Sequence, residues 1–339
     1  MPHHFARTIP FAALLFGLFV STPSNATSAG RFVVAEPSVQ SSALRGYASR
    51  LQSSGVLQAV TRSLNQRWML PTDVRIRLTE CDESNAYYDS EQREVQMCVE
   101  LVEDMANTLD GQFEDESDEA DALSGAFVGM LLHEVGHALV DVLEIPITGR
   151  EEDAVDQLSA WILIESGEAD AVLGAAATYY GDDSSVGAED FADEHSLNSQ
   201  RYFNMVCWVY GSDADQRQDL IDTWELPEAR AEQCADEYAL LKRSWNRLLR
   251  SHMRASSSQN LAINAPHLPL PHDRVSDDRD VPHKPRGSDN DEWEDSDDAG
   301  DHDYTHNLGE LVKVRDDEEG DDEDDRRGHV GRNDRNSDD

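Results

Sequence analysis

The chain of 339 residues carries 69 Asp and Glu residues against 28 Lys and Arg, which gives a formal net charge of −41 at pH 7. This balance disfavours nucleic-acid binding, because contacts to phosphate groups require a basic patch. The acidity is spread over the whole chain: residues 271–339 hold 26 acidic and 10 basic residues, which leaves 43 and 18 for the rest.

The first 29 residues predict a secretory signal peptide. Arg7 is followed by an apolar stretch over 9–20 and by small residues that end at Ala26 or Ala29, where cleavage is expected. The stretch is shorter than the roughly 20 residues of a membrane-spanning helix. We therefore expect an exported protein, periplasmic or extracellular, with no membrane span after the signal is removed.

The next part of the chain predicts two helices and a small sheet. Helical spacing covers 38–53 and 56–68. Residues 73–81 alternate between apolar and polar, as in a half-buried strand, and 85–88 and 95–98 are shorter strand candidates. Together they predict a small antiparallel sheet packed on helices.

Most of the remaining folded part is predicted to be helical. An acidic loop at 114–121 precedes a central apolar helix that ends near Pro146. Helical spacing also covers several other segments, namely 99–109, 149–164, 168–180, 189–210 and 227–253. The expected fold is a helix-rich α+β domain over residues 30–254 with one core.

From residue 255 onward the composition predicts a disordered acidic tail, 255–339, because its few apolar residues cannot offset the entropy of ordering. Residues 295–300 resemble a calcium-binding loop only faintly, since His306 stands where the loop requires Glu. At most, the tail is expected to bind cations weakly or to contact a basic partner.

The central helix interrupts its apolar run with the sequence His133-Glu134-Val-Gly-His137. Residues four apart lie on one face of a helix, so the two imidazoles project side by side and can bind one metal ion. Glu134 lies about 100° round the helix from His133, so it can act as a general base on a metal-bound water molecule but does not reach the metal itself. This H-E-x-x-H pattern is typical of zinc sites. The competing interpretation is a core helix with two hydrogen-bonded histidines.

A third ligand is expected from the helix that follows, which begins with Glu151, Glu152 and Asp153 and continues to Asp156. Acidic residues also stabilise a helix start, so some of them are explained by capping alone. Glu152 is the favoured ligand, with Glu151 or Asp153 as the alternatives. Asp156, four residues further on, can accept the second ring N–H of a metal-binding histidine.

The pattern H-E-x-G-H followed by E-x-x-x-D resembles the gluzincins, a class of zinc metallopeptidases. More narrowly, the chain resembles a bacterial family of secreted metallopeptidases whose substrates are not established. The matching pieces lie within residues 40–252 and are Asn85–Tyr88, His133–His137, Glu152–Gln157, Asp193–Leu197 with Gln200 and Arg201, and Arg230–Cys234 through Ser244 and Trp245. The resemblance implies a zincin-like fold with active-site helices beside the sheet, an edge strand that aligns an extended peptide, and peptide hydrolysis.

A further group that stabilises the transition state is expected near the metal, commonly a His, Tyr or Arg. His195 is the first candidate, and Arg201 and Tyr202 come after it. A lone histidine is more often a surface or core residue. Arg201 can equally form an ion pair with Asp193 or Glu194.

The four cysteines form no C-x-x-C motif, so a thiolate zinc site is not expected. Export to an oxidising compartment favours two disulfides, for which three pairings are possible. We favour Cys81–Cys98 and Cys207–Cys234, because each closes a short segment of the chain. Buried free thiols are the alternative.

The sequence thus predicts a secreted, single-domain zinc metallopeptidase that acts on a peptide or protein substrate. Zn2+ is expected on His133, His137 and Glu152, with Glu134 as general base. The alternative is a non-catalytic, zinc-stabilised interaction protein of the cell envelope that uses its acidic tail. A third possibility is an enzyme that processes its own tail.

Overall fold

A computed structural model describes residues 29–113, 115–181, 186–254 and 262–269. Except for Ala29, the predicted signal peptide lies outside the described residues. So does the predicted tail, with the exception of its short segment 262–269.

The described strands form one mixed sheet in the order β1-β2-β4-β3. β1 runs parallel to β2, β2 runs parallel to β4, and only the β3–β4 pair is antiparallel. The prediction of an antiparallel sheet is therefore confirmed for β3 and β4 and wrong for β2, which runs parallel to β4. β1 was not predicted, and two helices connect it to β2 in a parallel crossover. The strands are β1 Phe32–Val34, β2 Val74–Thr79, β3 Ala86–Asp89 and β4 Glu94–Cys98.

Helices make up most of the remainder, which confirms the helix-rich α+β class. In the described residues they are α1 Ser42–Ser54, α2 Val56–Arg67, α3 Val99–Leu109, α4 Glu116–Val142, α5 Glu151–Glu165, α6 Ala169–Ala177, α7 Ala188–Ala192, α8 Asn198–Ser212, α9 Leu220–Thr223 and α10 Glu228–Leu249. A short 3-10 helix, Arg250–His252, follows α10. Gly55, with φ of 83°, adopts the left-handed conformation that separates α1 from α2.

Two helix predictions are wrong at their boundaries. Of the acidic segment predicted as a loop at 114–121, residues 116–121 instead form the start of α4, where carboxylates complement the helix dipole. Residue 114 lies outside the described residues. The single helix predicted over 189–210 is divided into α7 and α8 by an irregular segment, 193–197. That segment begins at Asp193, whose side chain accepts the backbone N–H of His195 and stabilises a turn.

The core helix α4 packs closely on α6 through small residues. A Cβ atom added to Gly174 would lie 2.6 Å from the carbonyl oxygen of Ala122, and one added to Gly125 would lie 2.8 Å from Cα of Ala171. By length and hydropathy, residues 117–142 are apolar enough to cross a membrane, yet 83% of the apolar window is buried inside the protein. Burial by neighbouring helices therefore accounts for the apolar character of α4.

Two disulfides brace the fold in the pairing favoured from the sequence. Cys81–Cys98 connects the segment after β2 to the end of β4, with Cα atoms 5.6 Å apart. Cys207–Cys234 connects α8 to α10, with Cα atoms 5.2 Å apart. The described cysteines include no free thiol.

The segment 262–269, predicted as part of the tail, lies against the folded body. Its Ile263 and Leu268 side chains are buried in the core. The backbone N–H of Leu268 donates to Oγ of Ser124 on α4, at 2.9 Å. Burial of these apolar side chains thus stabilises the segment on the folded body.

Candidate metal centre and cleft

His133 and His137 occupy successive turns of α4 and share one face of the helix. Their ring centroids are 5.1 Å apart, and the ring planes are inclined by 76°. His133 is buried and His137 is half-buried, and both line a cleft of about 980 Å³. The predicted juxtaposition of the two imidazoles is therefore present.

Glu152, on the first turn of α5, brings a carboxylate to both histidines. Its Oε2 lies 3.1 Å from Nε2 of His133, and its Oε1 lies 3.3 Å from Nε2 of His137. Two ligands about 2.1 Å from one tetrahedral ion would lie roughly 3.4 Å apart. One ligand atom from each of the three residues falls within 4.8 Å of the others, so these residues fit a single metal ion.

A glycine in the motif allows α5 to approach this closely. Gly136 faces Val155, and a Cβ atom there would lie 2.8 Å from Cβ of Val155. Real Cβ contacts of that length do not occur, so a larger residue would displace α5 from α4. Glu152 and Asp156 reach the histidines because the two helix backbones are in near contact at Gly136.

Each of the two histidines also has a carboxylate at its other ring nitrogen. Oδ1 of Asp156 lies 2.7 Å from Nδ1 of His133, and Oε1 of Glu151 lies 2.8 Å from Nδ1 of His137. Such partners fix the tautomer and leave Nε2 free for a metal. Glu151, which the sequence offered as an alternative metal ligand, therefore contacts Nδ1 of His137 and can orient that imidazole.

Asp156 is also the partner of a buried arginine. The Nε and Nη2 atoms of Arg201 each donate to Asp156, at 2.8 Å. The guanidinium stacks over the ring of Tyr179, with its carbon 4.0 Å from the ring centroid. Arg201 therefore pairs with Asp156, and not with Asp193 or Glu194 as the sequence suggested.

Electrostatics keep the carboxylates of the cluster ionised. Burial raises the pKa of Asp156, but the contacts with His133 and Arg201 lower it by more, and the resulting pKa is about 2. Burial likewise raises the pKa of Glu152, and hydrogen bonds to the surrounding histidines lower it well below its usual range. Burial lowers the pKa of His133, yet its two carboxylate partners raise it to about 9. The same carboxylate charge that raises the pKa of His133 would favour a bound cation, which displaces the proton from each ligand nitrogen.

Glu134 differs from Glu151, Glu152 and Asp156 in having no hydrogen-bond or ion-pair partner among the described residues. Its side chain is 5% exposed and lines the cleft, and it makes no hydrogen bond or ion pair with the described residues. Burial raises the pKa of Glu134. A buried, unpaired carboxylate beside a candidate metal site is the arrangement that proton transfer requires.

His195 reaches the same carboxylate from the segment between α7 and α8. Its Nε2 lies 3.1 Å from Oε2 of Glu152, and its ring stacks on His133 with centroids 6.2 Å apart. Nδ1 of His195 lies 3.1 Å from Oδ1 of Asp193. The structure thus places His195 at the rim of the cluster, with its ring held from both sides.

Two contacts to the start of α5 fix the segment that carries His195. Oγ of Ser196 donates to Oδ1 of Asp153 at 2.6 Å, and Nη1 of Arg150 donates to the carbonyl oxygen of His195 at 3.1 Å. Asp153, the other alternative ligand, is therefore used to anchor this segment. The contacts of Ser196, Arg150 and Glu151 have no signal in the sequence, because no spacing rule relates side chains on different helices.

Tyr202 lies away from the cleft. Its hydroxyl donates to the carbonyl oxygen of Trp224 at 2.9 Å, and its side chain is buried against aromatic neighbours. The prediction that Tyr202 could stand near the reacting groups is thus not supported by its position.

A family comparison bears directly on this geometry. Residues 37–249 match the model of the family DUF4344, whose description is “Putative metallopeptidase”. The chain belongs to this family. The match covers most of the described residues and includes the candidate metal ligands His133, His137 and Glu152. Searches of curated proteins and of solved structures found no match to this chain.

Proposed function

We propose that this protein is an exported zinc metallopeptidase of the gluzincin type. The observation that carries the proposal is the convergence of His133, His137 and Glu152 in an open cleft, beside the unpartnered carboxylate of Glu134. Two imidazoles and one carboxylate are the ligand set of catalytic zinc in several peptidases, and zinc is the default metal for such donors. The DUF4344 description supports peptide bonds as the substrate.

His133, His137 and Glu152 would hold the ion, with Asp156 and Glu151 orienting the two imidazoles. When bound, the ion would polarise the scissile carbonyl group and make a water molecule more acidic. Glu134 accepts a proton from the attacking water and then delivers it to the leaving amine. Its carboxylate lines the cleft beside the histidine pair, which suits both steps.

His195 is the group that would stabilise the charge developing on the carbonyl oxygen. Its Nε2 faces the cluster and lies 3.1 Å from Glu152, and its ring is held by Asp193. A hydrogen-bond donor placed before the reaction stabilises an oxyanion without further reorganisation. Its position beside the cluster supports this role.

The sheet supplies a surface on which to align the substrate. β3 is an edge strand, and residues 85–88 line the cleft beside the metal cluster. An extended peptide can add to such an edge through backbone hydrogen bonds. The substrate would then cross the active-site face of α4.

Export is supported by two observations of different kinds. The structure contains two disulfides, which persist in oxidising compartments such as the periplasm and the extracellular medium. The sequence begins with the features of a signal peptide.

The test compares purified wild-type protein with Glu134→Gln on a mixture of casein fragments, with zinc, with a chelator, and with zinc restored after chelation. We expect cleavage that is lost with the chelator and recovered with zinc. Removal of a general base should lower kcat by about 10²- to 10⁴-fold while zinc binding persists. Glu232→Gln, on the exposed face of α10, serves as the control for loss of one carboxylate.

Cleavage that survives the Glu134→Gln substitution would refute the mechanism. Zinc binding without cleavage of any fragment would instead favour the zinc-stabilised interaction protein. A protein that cleaves only its own C-terminal tail would show a chelator-sensitive loss of mass.

A further inference from the structure

The cleft carries acidic side chains that the proposed mechanism does not use. Among them are Asp141 on α4 and Glu194 on the segment before α8. Of the Lys and Arg side chains that the structure describes, only Arg201 lines the cleft, and its guanidinium is buried against Asp156. Asp141 and Glu194 therefore add negative charge to the cleft without an ion pair to a lysine or arginine among the described residues.

Asp141 continues the row formed by the two histidines. It lies one helical turn beyond His137 on the same face of α4, about 6 Å along the axis. Its side chain is exposed, and the hydroxyl of Tyr88 on β3 donates to its Oδ2 at 2.7 Å. The edge strand and the metal-binding helix thus hold this carboxylate together at the path expected for a substrate.

Glu194 approaches from another side of the cleft. It directly precedes His195 and is exposed, and its carboxylate makes no hydrogen bond or ion pair with the described residues. The segment that carries it is fixed to α5 through Ser196 and Asp153. Glu194 is therefore an available carboxylate on a fixed piece of backbone.

A separate observation marks the cleft as a binding site. Glu134 is only 5% exposed, lines the cleft, and has no hydrogen-bond partner among the described residues. Leaving such a carboxylate unpaired is costly unless a ligand or water completes it. The unpaired carboxylate of Glu134 thus indicates ligand binding in the cleft independently of the acidic side chains around it.

We propose that the cleft selects peptides that carry Lys or Arg within about two residues of the cleaved bond, with Asp141 and Glu194 as the recognising carboxylates. The distance follows from the strand rise of about 3.3 Å per residue, which spans one helical turn in two residues. This inference rests on the proposed function of the cleft. It specifies which charge the cleft prefers in a substrate, a property that the metal cluster itself does not determine.

The expected preference is modest and sensitive to salt. Exposed charge pairs change affinity by about two- to fivefold each, so two carboxylates together should favour a basic peptide by roughly 4- to 25-fold at low ionic strength. A concave site lined by one sign of charge adds to the association rate. Both effects should fall sharply by about 1 M salt, where the screening length is about 3 Å.

The experiment uses three pools of internally quenched decapeptides that are identical except for Lys, Gln or Glu at the positions flanking a randomised central pair. Cleavage is measured with the zinc-loaded wild type and with the double variant Asp141→Asn, Glu194→Gln. A control variant, Glu232→Gln with Asp236→Asn, removes the same charge from the exposed face of α10. Binding of the same pools is measured with zinc-loaded Glu134→Gln, with and without the two cleft substitutions.

We expect the wild type and the α10 control to cleave the Lys pool fastest and the Glu pool slowest, and the cleft variant to lose most of that ratio. Equal rates for the three pools, or a ratio that the cleft variant retains, would overturn the proposal while leaving the peptidase intact. If no pool is cleaved, the proposed function fails, and the binding measurements still decide whether the cleft prefers basic peptides.

Discussion

The two halves of α4 make different kinds of contact with the rest of the protein. The first half packs its backbone against α6 through glycine and alanine, with Gly125 facing Ala171 and Gly174 facing Ala122. The second half carries His133 and His137 into a buried polar network. One helix thus has a nearly side-chain-free contact at one end and a cluster of charged groups at the other.

The difference shows how the second half of α4 can bury polar side chains without a large loss of stability. Buried polar groups are costly unless each has a partner, and at this end each histidine has two carboxylate contacts. Those partners require α5 to be correctly placed to within a few tenths of an ångström. Close packing of α4 on α6 and, at Gly136, on α5 provides a rigid base for that placement.

The largest effect is expected at the shared carboxylate of the polar half. Asp156→Asn keeps the side-chain shape but removes the charge that Arg201 and His133 both contact. Breaking a buried ion pair costs about 3–5 kcal/mol, and loss of such an orienting partner lowers metal affinity by about 10- to 100-fold. Denaturant unfolding and zinc titration measure the two losses.

Glu151→Gln is the matched control, because it removes the equivalent partner of His137 from a side chain that is 47% exposed. It should lower zinc affinity with a much smaller loss of unfolding free energy. Equal losses of stability in the two variants would contradict a special role for burial at Asp156.

A smaller effect is expected in the apolar half. Gly174→Ala places a methyl group 2.6 Å from the backbone oxygen of Ala122, so one helix must move. Overpacking of this kind costs about 1–3 kcal/mol. Gly46→Ala makes the same chemical change on an exposed face of α1, where nothing lies within 4 Å, and should stabilise the protein by about 0.5–1 kcal/mol. Unfolding curves that shift in the same direction for both would refute the packing argument.

The sequence predicted the parts of the molecule that depend on local periodicity. The helix at 99–109 is confirmed residue for residue, and the histidine pair follows directly from its spacing of four on α4. The edge strand β3 was predicted to within one residue as well. These features are set by neighbours in the chain, and spacing rules describe such neighbours well.

Features that depend on tertiary contacts were not predictable in the same way. β1 has three residues and forms only because β2 provides a parallel partner, so the mixed topology has no local signal. The break at 193–197 interrupts an acceptable helical pattern because Asp193 caps the turn and α5 anchors it. Gly136 is visible in the motif, but its role in the close packing of α4 on α5 depends on the position of Val155, which the sequence does not show.

The smallest effect is expected at the anchor between the polar half and the segment of His195. Ser196→Ala removes one hydrogen bond to Asp153 and leaves the histidine pair and Glu152 untouched. A typical hydrogen bond contributes about 1 kcal/mol, so kcat should fall by roughly fivefold if the bond positions His195 in the transition state. Zinc affinity should stay at the wild-type value.

Two further variants distinguish positioning from general loosening of the fold. Ser196→Thr keeps the hydroxyl and should restore kcat. Ser212→Ala removes a comparable hydroxyl, bonded to the carbonyl oxygen of Val209 at the end of α8, and should leave kcat unchanged. A purely structural contact would lower stability without a selective loss of kcat. If Ser196→Ala lowers the unfolding free energy and leaves kcat unchanged, Ser196 does not position His195.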